Sequence, residues 1–300
     1  MTSRVGVDLG GTKIEAVVLA EDGSELRRQR VPTPQGDYDG TIRAIVDLVN
    51  EITDGISTAE PVGIGTPGSV SPFDGLMKNA NSVVLNGRPL DRDLEKALGR
   101  TIIMRNDADC FALSEAVDGA AAGAEVVFGV ILGTGVGGGV VVDGRPRTGP
   151  NRVGGEWGHN PLPWAMDDER PGPDCYCGKT GCIETWVSGP GFAADDARVN
   201  GTRREAPEVV EAARRGDEGA VGSLDRYCDR LARSLATVID ILDPDVIVLG
   251  GGMSNVTELY QRVPALWGQY VFGGEVATRL VPNVHGDSSG VRGAAMLVPA

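Results

Sequence analysis

The start of the chain alternates short apolar runs with glycine-rich turns. Residues 4–9 and 14–20 are rich in valine and isoleucine and flank Gly10-Gly11, and the turn at residues 21–23 leads into residues 25–31. Apolar runs bounded by turn residues are typical of β-strands. The pattern therefore predicts a three-stranded meander in which a glycine loop joins the first two strands.

Helical and strand patterns then alternate as far as residue 117. Apolar residues between positions 42 and 52 recur at helical spacing, and residues 61–65 form a short apolar run that predicts a strand. Next we predict a helix that Asp91 caps, a strand at residues 101–104 and a helix at residues 108–117. The first half of the chain is thus expected to be an α/β unit.

The second half begins in the same way as the first. Residues 126–132 and 140–142 predict strands around a second glycine loop, and residues 221–242 form a long helical pattern that ends at Asp243-Pro244. The remaining predicted elements are a strand at residues 245–249 and helices near residues 258–270 and 291–297, with irregular chain at residues 149–191.

Two similar α/β halves predict a two-domain α/β fold with a ligand site in the cleft between the domains. Glycine and alanine dominate residues 119–123, which mark the expected boundary. We therefore assign residues 1–118 to an N-terminal domain with the first glycine loop, and residues 119–300 to a C-terminal domain with the second. The final helix is left open to pack on either domain.

The composition excludes several classes of function. The 300 residues include 42 acidic and 28 basic side chains, for a net charge of −14, and no basic patch with interleaved aromatic residues. Such a surface repels nucleic acid and anionic lipid. No apolar run approaches the ~18 residues of a membrane span, and residues 1–20 lack the pattern of a signal peptide. We expect a cytoplasmic protein that binds neither nucleic acid nor a membrane.

The first glycine loop has the residues that a phosphate site needs. Gly10 and Gly11 lack side chains, so an anion can approach their backbone N–H groups closely. Asp8 is suited to hold Mg²⁺ through water, and Thr12 or Lys13 to contact phosphate oxygens. An ordinary glycine hairpin is the alternative for this loop taken alone.

Two further glycine loops extend the phosphate-binding interpretation. Residues 133–139 match the G-x-G-x-x-G pattern of dinucleotide folds, but the chain continues as a strand and hairpin where a Rossmann turn must open a helix. Matching strand-loop-strand units in both halves instead indicate a nucleotide, and residues 250–252 offer bare backbone to an adenine ring, unless they form a simple strand-to-helix connection. The predicted nucleotide-binding residues of these two loops are Gly133, Thr134, Gly135, Gly137, Gly138, Gly250, Gly251 and Gly252.

A carboxylate at the end of a predicted strand is the candidate catalytic base. Asp107 follows Asn106 and precedes a predicted helix. In phosphoryl transfer such a carboxylate orients the attacking hydroxyl and accepts its proton. Helix capping is the alternative, because Asp and Asn favour this position in any case.

Three cysteines and one histidine form a candidate metal site. Cys175, Cys177 and Cys182 lie within eight residues, and His159 precedes them. Four such ligands fill a tetrahedral zinc site and leave no open position, so the metal is expected to be structural. Free thiols or a redox pair are the alternative.

Taken together, these motifs resemble those of the ROK family of bacterial sugar kinases. The resemblance covers essentially the whole chain and includes the glycine loops, Asn106-Asp107, the cysteine run, Gly-Thr-Pro-Gly at residues 65–68 and Gly-Glu-Trp-Gly-His at residues 155–159. It implies the duplicated ribonuclease H-like fold of actin-like ATPases and sugar kinases, with an interdomain cleft and with ATP and Mg²⁺ as cofactors. It also implies a homodimer.

The resemblance further implies which residues bind the sugar. Asp107 is then the base toward a primary sugar hydroxyl, and His159 binds zinc through one ring nitrogen and reaches the sugar with the other. The implied sugar contacts are Gly65, Pro67 and Gly68 through the backbone, and Asn81, Asn106, Glu156, His159 and Glu184 through side chains.

Two runs, at residues 78–82 and 156–164, resemble the fructokinase or manno(fructo)kinase branch of the family. We therefore expect phosphorylation of a free hexose at its 6-hydroxyl, with fructose as the main substrate and mannose or glucose as further ones. An N-acetylglucosamine or N-acetylmannosamine kinase is the alternative, which requires space for an acetamido group at C2. The acidic run at residues 167–169 is expected to be a solvated loop, unless it borders the sugar pocket.

A non-catalytic, sugar-sensing ROK protein is the alternative from another class. Regulators of this kind carry a DNA-binding helix-turn-helix ahead of the same core, whereas here the first strand begins within a few residues of Met1. The acidic balance also disfavours DNA binding. We therefore expect an enzyme.

Overall fold

The computed structural model describes residues 3–299, apart from the side chains of residues 59 and 60. The chain divides into two compact units. Within the described residues, the first unit holds residues 3–123, 139–154 and 284–299, and the second holds residues 124–138 and 155–283. The expected boundary after residue 118 lies five residues before this one, and residues 139–154 and 284–299 belong to the first unit rather than to the second.

The strands are β1 (Ser3–Leu9), β2 (Lys13–Leu19), β3 (Glu25–Pro32), β4 (Thr58–Thr66), β5 (Ser69–Val70), β6 (Met77–Lys78), β7 (Ile102–Asn106), β8 (Val126–Leu132), β9 (Val136–Val142), β10 (Arg145–Pro146), β11 (Val246–Gly250) and β12 (Arg279–Pro282). The helices are α1 (Tyr38–Thr53), α2 (Leu90–Leu98), α3 (Asp107–Val117), α4 (Glu184–Val187), α5 (Gly189–Asn200), α6 (Ala206–Arg214), α7 (Glu218–Leu242), α8 (Leu259–Trp267) and α9 (Ser289–Met296).

The first five-stranded sheet has the order β3-β2-β1-β4-β7. Its strands β1, β2 and β3 form the predicted antiparallel meander, in which Leu9 pairs with Ile14 across the first glycine loop. Strands β4 and β7 run parallel to β1 and to each other. Because β1, β4 and β7 are parallel, Asp8, Thr66 and Asn106 all lie at the same carboxyl edge of this sheet.

Both faces of the first sheet are covered by helices. Apolar side chains of β1, β2 and β4 pack with those of α1 and α2 in one core cluster, which includes Val7, Ile45 and Leu94. Helix α9 packs on α3 and on β1, β2 and β4. These contacts place the last helix in the first unit, the question that the sequence left open.

The second five-stranded sheet has the order β10-β9-β8-β11-β12. Strand β11 is parallel to β8 and to β12, with Val246 opposite both Val127 and Arg279. Helix α7 packs against α5, α6 and α8. It ends where predicted, because Asp243 adopts a left-handed conformation, with φ 48°, directly before Pro244.

Several elements were not predicted, and one cap was wrong. Helix α4 and the start of α5 lie in the stretch at residues 149–191 that was expected to be irregular. The other elements that the sequence did not predict are α6 and the strands β5, β6, β10 and β12. Helix α2 begins at Leu90 after Pro89, so Asp91 lies in its first turn rather than at the cap. Among residues 3–299, no helix is both long and apolar enough to cross a membrane.

Candidate functional site

The first glycine loop is a tight turn supported from β3. The Gly10 N–H donates to the Lys13 carbonyl at 2.9 Å, and the Thr33 hydroxyl donates to the Gly10 carbonyl at 2.8 Å. The Thr33 N–H donates to the Thr12 carbonyl at 3.0 Å. Gly11 and Thr12 are exposed, so an anion can reach the tip of the turn.

Acidic groups surround the base of this loop. Burial, followed by the nearby Asp107 and Glu15 carboxylates, raises the pKa of Asp8 to about 7, while Lys13 opposes that rise. Glu15 is buried on β2, and its carboxylate lies 2.8 Å from Arg30 and 3.2 Å from Arg28. We did not single out Glu15 from the sequence, although an acid within an apolar strand was a usable signal.

The oxygen donors at this site suit magnesium. Mg²⁺ prefers carboxylate and water oxygens and keeps several of its waters. The Asp8 carboxylate lies against Gly65 and Gly290, because a methyl group at Gly65 would be 3.5 Å from Oδ1 and one at Gly290 would be 3.1 Å from Oδ2. Asp8 therefore fits a hydrated divalent cation better than a direct phosphate contact, which its negative charge would oppose.

The candidate base lies at the junction of β7 and α3. Asn106 caps α3, since its side-chain oxygen accepts from the Ala108 N–H at 2.9 Å, and Asp107 Oδ1 accepts from the same N–H at 2.8 Å. The Asn106 side-chain amide donates to the Gly68 carbonyl at 3.2 Å. The capping interpretation thus holds for Asn106, while both side chains are fixed at the carboxyl edge of the first sheet.

The remaining predicted sugar contacts of the first unit are divided between two environments. Gly65, Pro67 and Gly68 are buried, close to Asn106. Asn81 is exposed and lines a cavity of about 420 Å³ together with Gly11 and Thr12. The structure therefore brings Asn81 to the tip of the first glycine loop.

The second glycine loop is held by groups outside it. The Val136 N–H donates to Glu184 Oε2 at 2.9 Å, and Trp157 Nε1 donates to the Gly137 carbonyl at 3.1 Å. The Gly189 N–H donates to the Gly133 carbonyl at 2.9 Å. Glu184, a predicted sugar contact, thus contacts the backbone of the second loop.

The second and third glycine loops meet in one cavity of about 580 Å³ within the second unit. Gly133 and Thr134 lie on one wall and Gly252 on another. Gly251 has φ 77° and packs against the Leu132 carbonyl, so its contribution is to the turn. The other lining residues, which we did not predict, are Gly189, Pro190, Glu205, Ala206, Pro207, Val210, Glu211, Arg214, Met253, Asn255 and Val256.

The sequence contained local signals for the starts of α5 and α6, the two helices that carry several of these unpredicted lining residues. Ser188 caps α5 by accepting from the Gly191 N–H at 3.1 Å, with Pro190 in the first turn. Glu205 and Glu208 form a capping box at the start of α6, with Pro207 in its first turn. Both are recognised signals for a helix start.

The four predicted metal ligands converge. One ligand atom from each of His159, Cys175, Cys177 and Cys182 lies within 4.8 Å of all the others. Cys177 Sγ lies 3.6 Å from Cys182 Sγ, and Cys175 Sγ lies 3.6 Å from His159 Nδ1. Zn–S bonds of about 2.3 Å place tetrahedral ligands about 3.8 Å apart, which is close to these two distances, so the donor set fits zinc.

The second ring nitrogen of His159 faces a tyrosine that we did not predict. Nε2 lies 3.1 Å from the Tyr176 hydroxyl, and the two rings meet edge to face. Tyr176 is 79% exposed. A hydroxyl of a bound ligand reaches Nε2 only by displacing this tyrosine hydroxyl.

The acidic run at residues 167–169 is solvated only in part, because Asp167 and Asp168 are exposed whereas Glu169 is not. Glu169 is buried, and its carboxylate accepts from Arg230 at 2.7 Å and from Arg233 at 2.8 Å, both on α7. Burial alone would raise the pKa of Glu169, but hydrogen bonds from Arg233 and Arg230 lower it to about 2. The segment is therefore anchored to α7, and the solvated interpretation was wrong for Glu169.

Comparisons with known proteins agree over the whole chain. A sequence model described as the ROK family matches residues 4–300. An N-acetyl-D-glucosamine kinase of Photobacterium profundum is 40% identical over 296 residues, which cover 97% of this chain and 98% of that protein. The ROK hexokinase of Thermus thermophilus is 32% identical with a TM-score of 0.87, over 98% of this chain and 97% of that one. A Streptomyces griseus ROK family glucokinase, solved with glucose and AMPPNP, is 30% identical with a TM-score of 0.77, over 99% of both chains.

Proposed function

Because the chain belongs to the ROK family, we propose that it transfers the γ-phosphoryl group of ATP to the 6-hydroxyl of N-acetyl-D-glucosamine. The expected fold and the expected class of enzyme, an ATP-dependent sugar kinase, are both confirmed. The observation that carries the choice of sugar is the identity with curated N-acetyl-D-glucosamine kinases along almost the full length of both chains.

The expectation of fructose as substrate was wrong. It depended on two short runs, at residues 78–82 and 156–164, whereas the whole-length similarity is to N-acetyl-D-glucosamine kinases. Short runs of this kind contain residues assigned to the sugar hydroxyls and to the metal cluster. Kinases that act on different hexoses have such residues in common. Discrimination at C2 depends on a few pocket contacts, and motif patterns do not encode them.

In the proposed reaction, Asp107 accepts the proton of the sugar 6-hydroxyl as its oxygen attacks the γ-phosphorus. The bond between that phosphorus and the bridging oxygen breaks, and ADP leaves with the electron pair. Asn106 fixes the approach to Asp107 through its bond with the Gly68 carbonyl. The other proposed sugar contacts are Gly65, Pro67, Gly68, Asn81, Glu156, His159 and Glu184.

For the nucleotide, we propose that the cavity of about 580 Å³ in the second unit takes the adenosine, because its Pro207, Val210 and Val256 side chains offer apolar walls to a base. The phosphates are then assigned to the two glycine loops, and Asp8 to the hydrated Mg²⁺, which neutralises charge on the phosphates. Zinc is proposed for the cysteine and histidine cluster, where it would fix the fold around His159.

The test is kcat/KM with MgATP for N-acetylglucosamine, N-acetylmannosamine, glucose, mannose and fructose, with phosphorus NMR to identify the product. We expect N-acetylglucosamine to exceed each other sugar by at least about tenfold. A site built for a polar substituent discriminates strongly against sugars that lack it, and N-acetylmannosamine directs its acetamido group away from that site because its configuration at C2 is inverted. ATP loss without sugar is the control. A preference for another sugar would overturn the substrate, and no transfer to any sugar would overturn the kinase assignment.

The homodimer implied by the family resemblance stays a proposal. Light scattering on the purified protein distinguishes a mass of 31.3 kDa for one chain from twice that value.

A further inference from the structure

The second glycine loop orders itself only in part: the Gly133 N–H donates to the Gly135 carbonyl at 3.0 Å, and residues 136–139 belong to β9. Its seven residues, 133–139, are five glycines, one threonine and one valine. Glycine loses more conformational freedom on ordering than any other residue, and this loop has few side chains that could compensate. A fixed array of backbone N–H groups therefore requires support from neighbouring segments.

Glu184, which lies beside the cluster of three cysteines and one histidine, supplies part of that support. Its carboxylate is buried, Oε2 accepts from the Val136 N–H at 2.9 Å, and Oε1 lies 3.8 Å from Cys175 Sγ. Cys182, another proposed metal ligand, precedes Glu184 by two residues. A side chain at Gly135 would begin 2.8 Å from Oε2, so the loop fits closely around this carboxylate. One residue thus contacts both the phosphate loop and the cysteine cluster.

The segment before His159 makes a second contact with the same loop. Trp157 Nε1 donates to the Gly137 carbonyl at 3.1 Å, and the Trp157 ring packs edge to face on Phe128 of β8. Methyl groups at Gly138 and Gly158 would lie 2.6 Å from the Gly155 carbonyl and 2.7 Å from the Val136 carbonyl. The backbones of the loop and of residues 155–158 are therefore in direct contact.

From this geometry we infer that Glu184 is a positioning residue for the phosphate donor. Its side chain connects the cysteine and histidine cluster to the glycine loop at residues 133–139. The cluster then determines donor binding as well as contact with the sugar. This inference depends on the proposed function, because it takes residues 133–139 as a phosphate-binding loop. A role confined to the sugar, which the family resemblance implied for Glu184, predicts no effect on the donor.

The test measures donor binding in the absence of sugar. Calorimetric titration with MgAMPPNP is compared among the wild type, Glu184→Ala and Glu184→Gln, with the zinc content of each protein determined beforehand. We expect Glu184→Ala to raise the Kd for MgAMPPNP by about tenfold, as loss of a hydrogen bond to a charged group does. We expect Glu184→Gln to restore binding to within about threefold, because its amide oxygen still accepts from the Val136 N–H.

The titration distinguishes a failure of this inference from a failure of the proposed function. An unchanged Kd in a fully metallated Glu184→Ala protein, with a raised KM for sugar, would overturn the inference and leave the kinase assignment standing. If the wild type itself binds no MgAMPPNP, the proposed function fails and this inference fails with it. Should Glu184→Ala lose its metal or its fold, Trp157→Phe decides in a protein that keeps its metal and its Tm. This substitution removes the N–H to the Gly137 carbonyl together with part of the buried ring, and leaves Glu184 and the four proposed metal ligands in place. A rise of about threefold in Kd supports the inference, and no rise contradicts it.

Discussion

The glycine loop at residues 10–13 and the one at residues 133–139 both join neighbouring strands, yet different parts of the molecule hold them. The first is closed by its own Gly10 to Lys13 bond and by Thr33, which follows the next strand of the meander. The second also has a bond of its own, from the Gly133 N–H to the Gly135 carbonyl, but it is held in addition by Glu184, 48 residues after Val136, and by Trp157.

Their electrostatic surroundings differ as well. The first loop carries Lys13 and lies beside the Asp8 and Glu15 carboxylates, whose negative charges repel each other. The second loop has no ionisable residue of its own. Under the proposed function, the first loop is assigned the charge of cation and phosphate. The second is assigned a backbone surface that distant residues help to keep in shape.

The substitution with the largest expected effect, at Asp107, distinguishes the chemical step from the binding of the phosphate donor. Asp107→Asn keeps an oxygen that can accept from the Ala108 N–H but removes the base. We expect kcat to fall by about 10²- to 10⁴-fold, while the Kd for MgAMPPNP rises by less than about threefold, because Asp107 is assigned to the sugar. Steady-state kinetics and calorimetry on the same preparation measure both.

Asp47→Asn, at an exposed position on α1, is the matched control and should leave kcat unchanged. A fall in kcat of less than about fivefold for Asp107→Asn would contradict its assignment as base, since general-base catalysis contributes far more than that.

The second-largest expected effect concerns the cysteine and histidine cluster, which supports the second glycine loop through Glu184. Cys182→Ser removes one of the four converging ligands. If a four-ligand zinc site contributes about 10–16 kcal/mol of binding, one ligand is worth roughly 2–4 kcal/mol, and zinc affinity should fall by at least about tenfold. We expect lower zinc content, a lower Tm and weaker MgAMPPNP binding, measured by elemental analysis, calorimetry and thermal unfolding.

Cys228→Ala provides the control for the loss of a buried thiol. Cys228 lies on α7, outside the ligand group, so this variant should keep its full zinc content. Full zinc content in Cys182→Ser would show that the cluster does not need this ligand.

The sequence predicted well those features that are encoded locally. The glycine loops, the Asn106-Asp107 pair and the Cys175 to Cys182 run each lie within a few residues, and their spacing alone limits the chemistry they can perform. The long helix α7 and the meander were likewise found from periodicity and turn residues.

What the sequence did not predict depends on contacts between distant segments. The bond from Val136 to Glu184 spans 48 residues, and the ion pairs from Arg230 and Arg233 to Glu169 span 61 and 64 residues. No periodic pattern encodes such pairs, so Glu184 was assigned only to the sugar, and residues 167–169 were expected in solvent or at the border of the sugar pocket rather than paired with α7. The choice of hexose failed for the same reason, because a few tertiary contacts around C2 determine it.

The third effect compares the two loops by the same substitution. In Gly138→Ala, the new methyl group would lie 2.6 Å from the Gly155 carbonyl and 2.7 Å from Trp157 Cδ1. We expect the free energy of unfolding to fall by about 1–3 kcal/mol, the usual cost of overpacking. In Gly11→Ala the nearest atom is Ser82 Oγ at 3.6 Å, and the φ angle of Gly11 is outside the left-handed region.

Gly11→Ala should therefore keep or slightly raise stability, by up to about 1 kcal/mol, because alanine restricts the unfolded chain. Urea denaturation of both variants beside the wild type measures the difference. Equal destabilisation by the two substitutions would mean that the second loop is no more tightly packed than the first.

The smallest expected effect tests the local support of the first loop. Thr33→Val removes the hydroxyl that donates to the Gly10 carbonyl and keeps the shape of the side chain and the N–H bond to Thr12. We expect a loss of about 0.5–1.5 kcal/mol in the free energy of unfolding, and a rise in the Kd for MgAMPPNP of less than about threefold, because the Gly10 to Lys13 bond still closes the turn. A loss of donor binding as large as that expected for Glu184→Ala would show that the first loop also depends on outside support, and the two loops would then differ only in charge.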